Sequence, residues 1–257
     1  MPLLMAILNV TPDSFSDGGR FEGAAAAIAR GRALAGEGAD ILDVGGESTR
    51  PGHTPVDAPT EIARVVPVIA ALAPGLGIPV SVDTSKAAVA AAAIAAGARM
   101  VNDVWGLQRD PEIAAVCADT GVDVVLMHNR AGIDPAIDIV EDMLAFLERS
   151  VGIARRAGIA EARITLDPGI GFAKTPAQSL AVLRAVPQLK ALGFPVPVGA
   201  SRKAVIGHVT GRAAVGERLA GTLAAHLWAV RAGAYMLRVH DVAAHRDALA
   251  MWGALEG

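Results

Sequence analysis

Eight short apolar runs alternate with eight longer, Ala-rich stretches of helical character along the 257 residues. Strands of a parallel sheet are buried on both faces and read as continuous apolar runs, and helices connect them. The alternation predicts the α/β class and a single (β/α)8 TIM barrel. An open doubly wound sheet is the alternative, but no Gly-x-Gly-x-x-Gly follows the first run, which favours the barrel.

The predicted strands are Leu3–Asn9, Asp40–Val44, Pro79–Asp83, Met100–Asp103, Asp123–Met127, Arg163–Asp167, Val196–Gly199 and Tyr235–Val239. The predicted helices are Gly23–Gly36, Asp57–Leu72, Lys86–Ala96, Pro111–Thr120, Ile137–Ala157, Pro176–Leu192, Arg202–Arg231 with a break at Gly211, and Val242–Met251. No linker or charge block divides the chain, so residues 1–257 are expected to form one barrel domain.

Composition limits the partners and the compartment. The net charge is −3, so the chain has no basic excess with which to bind nucleic acid. The longest apolar run, Ala87–Ala96, is too short to span a bilayer, and no targeting segment is visible. Cys117 is the only cysteine, so no intrachain disulfide forms. These features predict a cytoplasmic protein without a membrane partner.

Polar side chains stand at the carboxyl end of nearly every predicted strand, where a barrel brings them to one mouth. They are Asn9, Asp43, Asp83, Asn102, Asp167, Lys203 (just after the seventh strand), Arg238 and His240. A helix cap or a solvated turn explains one such residue but not the whole set. The second loop, after Asp43, adds Arg50. Two interpretations of Asp43 are open: it contacts the ligand, or it braces the second loop.

The residue types suggest the ligand. Asp83, Asn102 and Asp167 offer acceptors and a carboxamide, which match a flat heterocycle that carries an amino group and a ring N–H. A second group offers donors and positive charge, as a phosphorylated substituent requires. Its members are Arg50, Lys203, Arg238 and His240. The first two loops are rich in Gly, Pro and Ser, which makes them candidate lids over this mouth.

Several motifs, in order and with the spacing of a barrel, closely resemble those of dihydropteroate synthases. The two longest are Asn9-Val10-Thr11-Pro12-Asp13-Ser14-Phe15-Ser16-Asp17-Gly18-Gly19 and Asp43-Val44-Gly45-Gly46-Glu47-Ser48-Thr49-Arg50-Pro51-Gly52. The others are Ser81-Val82-Asp83-Thr84, Val101-Asn102-Asp103, Leu166-Asp167-Pro168-Gly169-Ile170-Gly171-Phe172, Ser201-Arg202-Lys203 and Arg238-Val239-His240-Asp241-Val242. The resemblance runs from Leu3 to near Asp247.

The resemblance implies a transferase of folate biosynthesis. That family joins para-aminobenzoate to 6-hydroxymethyl-7,8-dihydropterin diphosphate and releases diphosphate and 7,8-dihydropteroate. By resemblance, the pterin is held by Asp83, Asn102, Asp167 and Lys203, and Arg238 covers the ring and reaches the diphosphate. Asn9 and His240 serve the diphosphate, and Asn9 is also the expected Mg2+ ligand.

The same resemblance assigns roles to the two loops and to outer helices. Thr49 and Arg50 bring the second loop onto the substrates, and Phe15 and Pro51 wall the aminobenzoate pocket. Asp17 lies near the methylene as it becomes cationic. The expected catalytic set is Asp17, Thr49, Arg50, Lys203 and Arg238. A homodimer through outer helices near the C-terminus is also implied, although the apolar segment Leu219–Ala232 is equally consistent with packed core.

Two other functions compete with this one. A methyltransferase module of the same fold binds a methylated folate and lacks the diphosphate machinery, so Asn9, Arg50, Lys203 and Arg238 argue against it. A non-catalytic pterin-binding paralogue is the second alternative. The chain departs from the family pattern at Asn129-Arg130, where Met-Gln is frequent, and at Ala204, where serine is frequent. A backbone N–H at Ala204 can still meet a carboxylate at a helix N-terminus.

Overall fold

The computed structural model describes residues 1–11, 20–48 and 55–256, with side chains in the first helix described from residue 23 onward. Within these residues eight parallel strands form one sheet in the order β6-β5-β4-β3-β2-β1-β8-β7. They are β1 (Leu3–Asn9), β2 (Ile41–Gly45), β3 (Val80–Asp83), β4 (Met100–Asp103), β5 (Asp123–Met127), β6 (Ile164–Asp167), β7 (Pro197–Val198) and β8 (Met236–Val239). The predicted strands are confirmed to within a residue or two at each end.

The sheet closes on itself between β6 and β7. Ladder pairing is absent between these two strands, but the Leu166 N–H donates to the Pro195 carbonyl at 3.0 Å, two residues before β7 begins. On the other side of β7, the Tyr235 N–H donates to the Val196 carbonyl at 2.9 Å. The predicted barrel is therefore confirmed, and the open doubly wound sheet is excluded.

Helices follow the strands and cover the outside of the barrel. They are α1 (Arg20–Gly36), α2 (Ala58–Leu72), α3 (Ala87–Ala95), α4 (Glu112–Thr120), α5 (Ile139–Ala157), α6 (Pro176–Arg184), α7 (Val186–Lys190), α8 (Ala204–Thr210), α9 (Leu219–Arg231) and α10 (Val242–Glu256). None of these helices is both long enough and apolar enough to cross a membrane.

Two predicted helices are divided in the structure. The segment predicted as Pro176–Leu192 breaks at Ala185, because Pro187 lacks the N–H that would continue the α6 ladder. The break predicted at Gly211 is confirmed: this glycine ends α8 with a φ of 72°. A 3-10 turn, Val215–Arg218, then leads into α9.

Side chains alternate along each strand between two environments. On β1, Leu4, Ala6 and Leu8 belong to the large apolar cluster that packs against the helices. Their neighbour Met5 belongs to a second, smaller cluster, which also holds Ile41, Met100, Val125 and Met236. These five buried side chains fill the amino-terminal part of the barrel interior. We call them the floor.

Candidate functional site

Closer to the carboxyl ends of the strands, the inward-facing side chains are polar and buried rather than apolar. Arg238 connects two carboxylates: its Nε donates to Asp43 Oδ2 at 2.7 Å, and its Nη2 donates to Asp83 Oδ2 at 2.6 Å. Asn102 Nδ2 donates to the same Asp43 oxygen at 3.0 Å. We call these four residues the acidic network. They come from β8, β2, β3 and β4. Asp83 and Asn102 are register partners on β3 and β4, and Asp43 on β2 pairs with Ser81, two residues before Asp83.

The acidic network also contains buried acceptor atoms that are available to a ligand. Asp43 Oδ1, Asp83 Oδ1 and the neighbouring Ser81 Oγ are buried and have no hydrogen-bond partner among the described residues. Burial raises the pKa of Asp83 to about 7, although the Arg238 guanidinium opposes the shift. The two carboxylates outweigh the effect of burial on Arg238 and raise its pKa. Leaving a buried acceptor without a partner costs free energy, so these oxygens indicate a site that a ligand with N–H donors completes.

On the opposite side of the mouth, Asp167 ends β6 and is also buried. Its Oδ1 accepts from the Gly169 N–H at 2.7 Å. Gly169 has a φ of 65°, and a Cβ there would lie 1.9 Å from the carbonyl oxygen of His128, so only glycine fits this turn. Burial raises the pKa of Asp167, while Lys203 opposes that shift.

Two lysines are held at the same turn by backbone carbonyls. Lys203 Nζ donates to the Ile170 carbonyl and lies 4.5 Å from the centre of the Phe172 ring. Lys174 Nζ donates to the carbonyls of Gly169, at 2.7 Å, and Phe172, at 3.1 Å. Burial lowers the pKa of Lys203 to about 8 and that of Lys174 to about 7.

The predicted diphosphate residues lie at adjoining strand ends. The backbone N–H of His240 donates to Ser201 Oγ at 3.2 Å, and its Nδ1 lies 2.9 Å from the same oxygen. Asn9 ends β1 beside β2. Its Oδ1 and Asp83 Oδ2 both approach Gly45, where an added Cβ would lie 3.7 and 3.8 Å from them. Gly45 therefore leaves the space between these oxygens open.

The departure at Asn129-Arg130 lies in a loop that is tied to α5. Asp142 on α5 accepts from Arg130 Nη1 at 2.7 Å and contacts His128 Nε2 at 2.9 Å. Asn129 Oδ1 accepts from the Arg130 N–H at 2.8 Å, so its carbonyl oxygen serves its own loop. Burial lowers the pKa of His128 to about 4. The ring is therefore neutral at physiological pH.

The start of the second loop is anchored by charge. Lys86 contacts Glu47 at the start of the loop and Glu61 on α2, the latter at 2.5 Å. Arg64 Nη1 donates to the Gly46 carbonyl at 2.8 Å. The five predicted loop residues lie beyond this anchor or in the first loop, outside the described residues. They are Phe15, Asp17, Thr49, Arg50 and Pro51.

Comparisons with known proteins identify the family of this chain. The family model for "Pterin binding enzyme" matches residues 5–240. The Bacillus subtilis (strain 168) dihydropteroate synthase is 47% identical over 240 residues, which cover 93% of this chain and 84% of the relative. The chain belongs to the dihydropteroate synthase family. The fold, the transferase class and the condensation of a pterin with para-aminobenzoate in folate biosynthesis, which the motifs predicted, are confirmed.

Solved structures of the dihydropteroate synthase family have the same architecture. The Xanthomonas albilineans dihydropteroate synthase with 4-aminobenzoic acid gives a TM-score of 0.96 at 49% identity, with 100% of this chain and 93% of that chain covered. The same enzyme in complex with 7,8-dihydropteroate gives 0.92 at 47% identity, with 100% and 94% covered.

Sequence reasoning anticipated most of the mouth but missed some members. All eight residues predicted at strand ends do lie around it, and Asp43 contacts Arg238 and Asn102 there. Lys174 was missed, because a lysine in a loop gives no sign that it will be buried. Ser201 belongs to one of the family-like motifs, but its contact with His240 depends on β7 and β8 being neighbours in space.

Proposed function

We propose that the dihydropterin ring binds between the acidic network and the turn after β6. Asp83 and Asn102 face it from one side, and Asp167 and Lys203 from the other. The free oxygens of Asp43 and Asp83 are the observation that carries the proposal. A pterin edge offers an amino group and ring N–H donors, and a buried carboxylate accepts such donors with a charge-assisted bond.

Cationic side chains at the mouth supply the positive charge that the reaction needs. The arylamine is neutral at pH 7 and attacks the methylene carbon with its lone pair. A C–N bond forms, the C–O bond to diphosphate breaks, and the amine proton passes to water. The difficult part is the departure of the diphosphate, so cations fixed near the leaving group lower the barrier. Arg238, His240 and, on the second loop, Arg50 are the groups proposed for this role, and Asp17 is proposed to stabilise the cationic methylene.

The proposed cofactor is Mg2+, and the residues at the mouth fit it in one particular way. Among residues 1–11, 20–48 and 55–256, no cluster of three or more His, Cys, Asp or Glu side chains is arranged as a metal site. Mg2+ commonly keeps several waters and uses one or two protein oxygens plus substrate phosphates. Asn9 Oδ1, beside the open position at Gly45, is such an oxygen. Bound there with diphosphate, the ion would neutralise charge on the leaving group.

A steady-state assay separates this function from its alternatives. Diphosphate release should require both substrates and Mg2+ in the native protein. Lys203→Met should abolish it, while His208→Asn, on an exposed part of α8, should leave it unchanged. A pterin-binding paralogue would bind the pterin diphosphate without turnover, and a methyltransferase module would release no diphosphate; either outcome refutes the proposal.

The order of binding follows from the location of the charges. We expect Mg2+ and diphosphate to bind first and to draw the two loops over the mouth, where Phe15 and Pro51 complete the aminobenzoate pocket. Titration calorimetry should therefore detect para-aminobenzoate only when magnesium diphosphate is present. Equal affinity with and without it would contradict this order.

A cytoplasmic homodimer is the proposed state of the molecule. Val209 on α8, Trp228 on α9 and Met251 on α10 are large apolar side chains exposed to solvent on outer helices. A contiguous patch of exposed apolar side chains is typical of a surface that another chain covers, and we propose that these three residues contribute to one. Light scattering should give the mass of a dimer, and Trp228→Glu should shift it toward the monomer. A monomeric native protein would refute the dimer.

A further inference from the structure

Two buried histidines form a chain of hydrogen bonds behind the mouth. His226 on α9 and His245 on α10 are each 1% exposed. The Nδ1 of His226 lies 2.8 Å from the Nε2 of His245. At one end of the chain, the Ala200 N–H donates to His226 Nε2 at 3.0 Å. At the other end, His245 Nδ1 lies 2.6 Å from the carbonyl oxygen of Asp241.

These contacts assign a proton to each ring. An amide N–H can only donate, so His226 Nε2 accepts and its proton is on Nδ1. That proton is donated to His245 Nε2, and the remaining His245 Nδ1–H is donated to the Asp241 carbonyl. All four ring nitrogens are used when both rings are neutral. Burial keeps the pKa of His226 well below its usual value, with smaller contributions from His245, Lys203 and His240, and burial also lowers the pKa of His245.

The first end of the chain holds the turn that carries Lys203. Ala200 precedes Ser201, Arg202 and Lys203, and its carbonyl accepts from the Lys203 N–H at 3.2 Å. Arg202 has a φ of 56°, in the left-handed region that side chains other than glycine disfavour. A backbone of this kind persists only when its surroundings hold it in place.

Helix α9, the 3-10 turn before it and the turn after β8 supply those surroundings. Thr222 Oγ1 accepts from the Arg202 N–H, and Arg218 Nη1 donates to the Arg202 carbonyl, both at 3.0 Å. Arg202 Nε donates to Asp241 Oδ2 at 2.9 Å. Asp241 is also the residue at which the histidine chain ends, so the turns after β7 and β8 are fastened to the same pair of rings.

We propose that His226 and His245 are positioning residues for the transferase reaction. The neutral pair fixes the Ala200 peptide and the Asp241 backbone, so that Lys203 and His240 keep their orientation toward the mouth. The inference rests on the proposed roles of Lys203 and His240. Neither histidine contacts the ring or the diphosphate in this scheme.

Two near-isosteric variants of His226 separate its two hydrogen bonds. In His226→Gln, the side-chain oxygen can take the place of Nε2 and accept from Ala200. In His226→Asn, the amide can take the place of Nδ1 and donate to His245, while the Ala200 N–H is left without an acceptor. His208→Asn, at an exposed position of α8, is the matched control. Single-turnover rates and pterin diphosphate affinities are measured below the melting temperature of every variant.

The asparagine variant should lose activity and the glutamine variant should keep it. We expect His226→Asn to lower the single-turnover rate and the pterin affinity about tenfold, because a buried N–H loses its acceptor next to the turn that carries Lys203. His226→Gln should stay within about threefold of the native rate, since its acceptor remains. If both variants lower the melting temperature equally but keep native rates and affinities, the pair serves stability alone and the proposal is overturned.

A measurement on the native protein guards against a variant that does not fold. Long-range proton–nitrogen correlation spectra of labelled histidines report which ring nitrogen carries the proton. Both His226 and His245 should be neutral with the proton on Nδ1, before and after pterin binding. A proton on Nε2 of either ring would overturn the proposal. Absence of diphosphate release by the native protein would instead refute the proposed function, whatever the tautomers are.

Discussion

The floor and the mouth of the barrel interior are built on the same strands but use opposite chemistry. Met5, Met100 and Met236 fill the floor and expose almost nothing to solvent. Two residues further along β4 and β8, Asn102 and Arg238 contribute to the acidic network. The floor needs only shape and volume, whereas each polar group of the mouth needs a partner. The comparison shows that the interactions of the floor are satisfied without a ligand, whereas those of the mouth are not.

Removing the central cation of the mouth should have the largest effect. In Arg238→Met, Asp43 and Asp83 lose their shared partner and the leaving group loses a fixed charge. We expect kcat/KM to fall by about a thousandfold, in line with the loss of a preorganised charge at a reacting centre. Steady-state kinetics of diphosphate release measure the loss. A decrease of less than about tenfold would show that Arg238 is a structural brace only.

A cavity in the floor should affect stability and leave catalysis alone. Met236→Ala removes a fully buried side chain two residues before Arg238. We expect a loss of about 2–5 kcal/mol in the free energy of unfolding. In the folded variant, kcat/KM should stay within about twofold of the native value, because the floor touches no substrate. Urea unfolding combined with kinetics tests both, and a large fall in kcat/KM would erase the distinction between floor and mouth.

Neutralising Asp43 should disturb the mouth more mildly. Asp43→Asn keeps the shape of the side chain but gives Arg238 and Asn102 a neutral acceptor. Hydrogen bonds to charged groups contribute about 1.5–3 kcal/mol, so kcat/KM should fall about tenfold to a hundredfold. The pterin affinity of the variant shows whether the loss arises in binding. Native kinetics would mean that Asp43 orients neither partner.

The smallest effect is a pH dependence of stability, to which a buried histidine of the mouth should contribute and the apolar floor should not. His128 is buried and its pKa is lowered to about 4. Between pH 7.5 and 6.0 the unfolded chain binds protons that the folded His128 does not, so stability falls as the pH falls. The loss from this residue is about 0.8 kcal/mol for an unfolded pKa of about 6.5.

His128→Gln isolates that contribution, since the amide can still donate to Asp142. The stability difference between the two pH values should become smaller in this variant and stay unchanged in His208→Asn. Asp83, whose raised pKa acts in the opposite direction, is common to all three proteins and cancels. An unchanged pH dependence in His128→Gln would mean that the ring takes up protons in the folded state as readily as in the unfolded chain.

The sequence predicted the strands and the residues of the mouth better than the contacts between those residues. Apolar runs revealed the strands, and the polar residue after each run revealed the mouth. The partners of Arg238 lie 195 and 155 residues away along the chain, so no local pattern pairs them. His226 and His245 sit in Ala-rich helices and look like ordinary helical residues. Their contact exists only because α9 and α10 pack together around the closed barrel.

The central claim is that the polar interior of the mouth is the pterin pocket, and Asp167 tests it most directly. Asp167→Asn keeps the acceptor for the Gly169 N–H but replaces the second carboxylate oxygen with a donor. Calorimetric titration with the pterin diphosphate should show an affinity about tenfold to a hundredfold weaker than that of the native protein. Asp247→Asn, at an exposed position of α10, should bind as the native protein does. An unchanged affinity in folded Asp167→Asn would contradict the account.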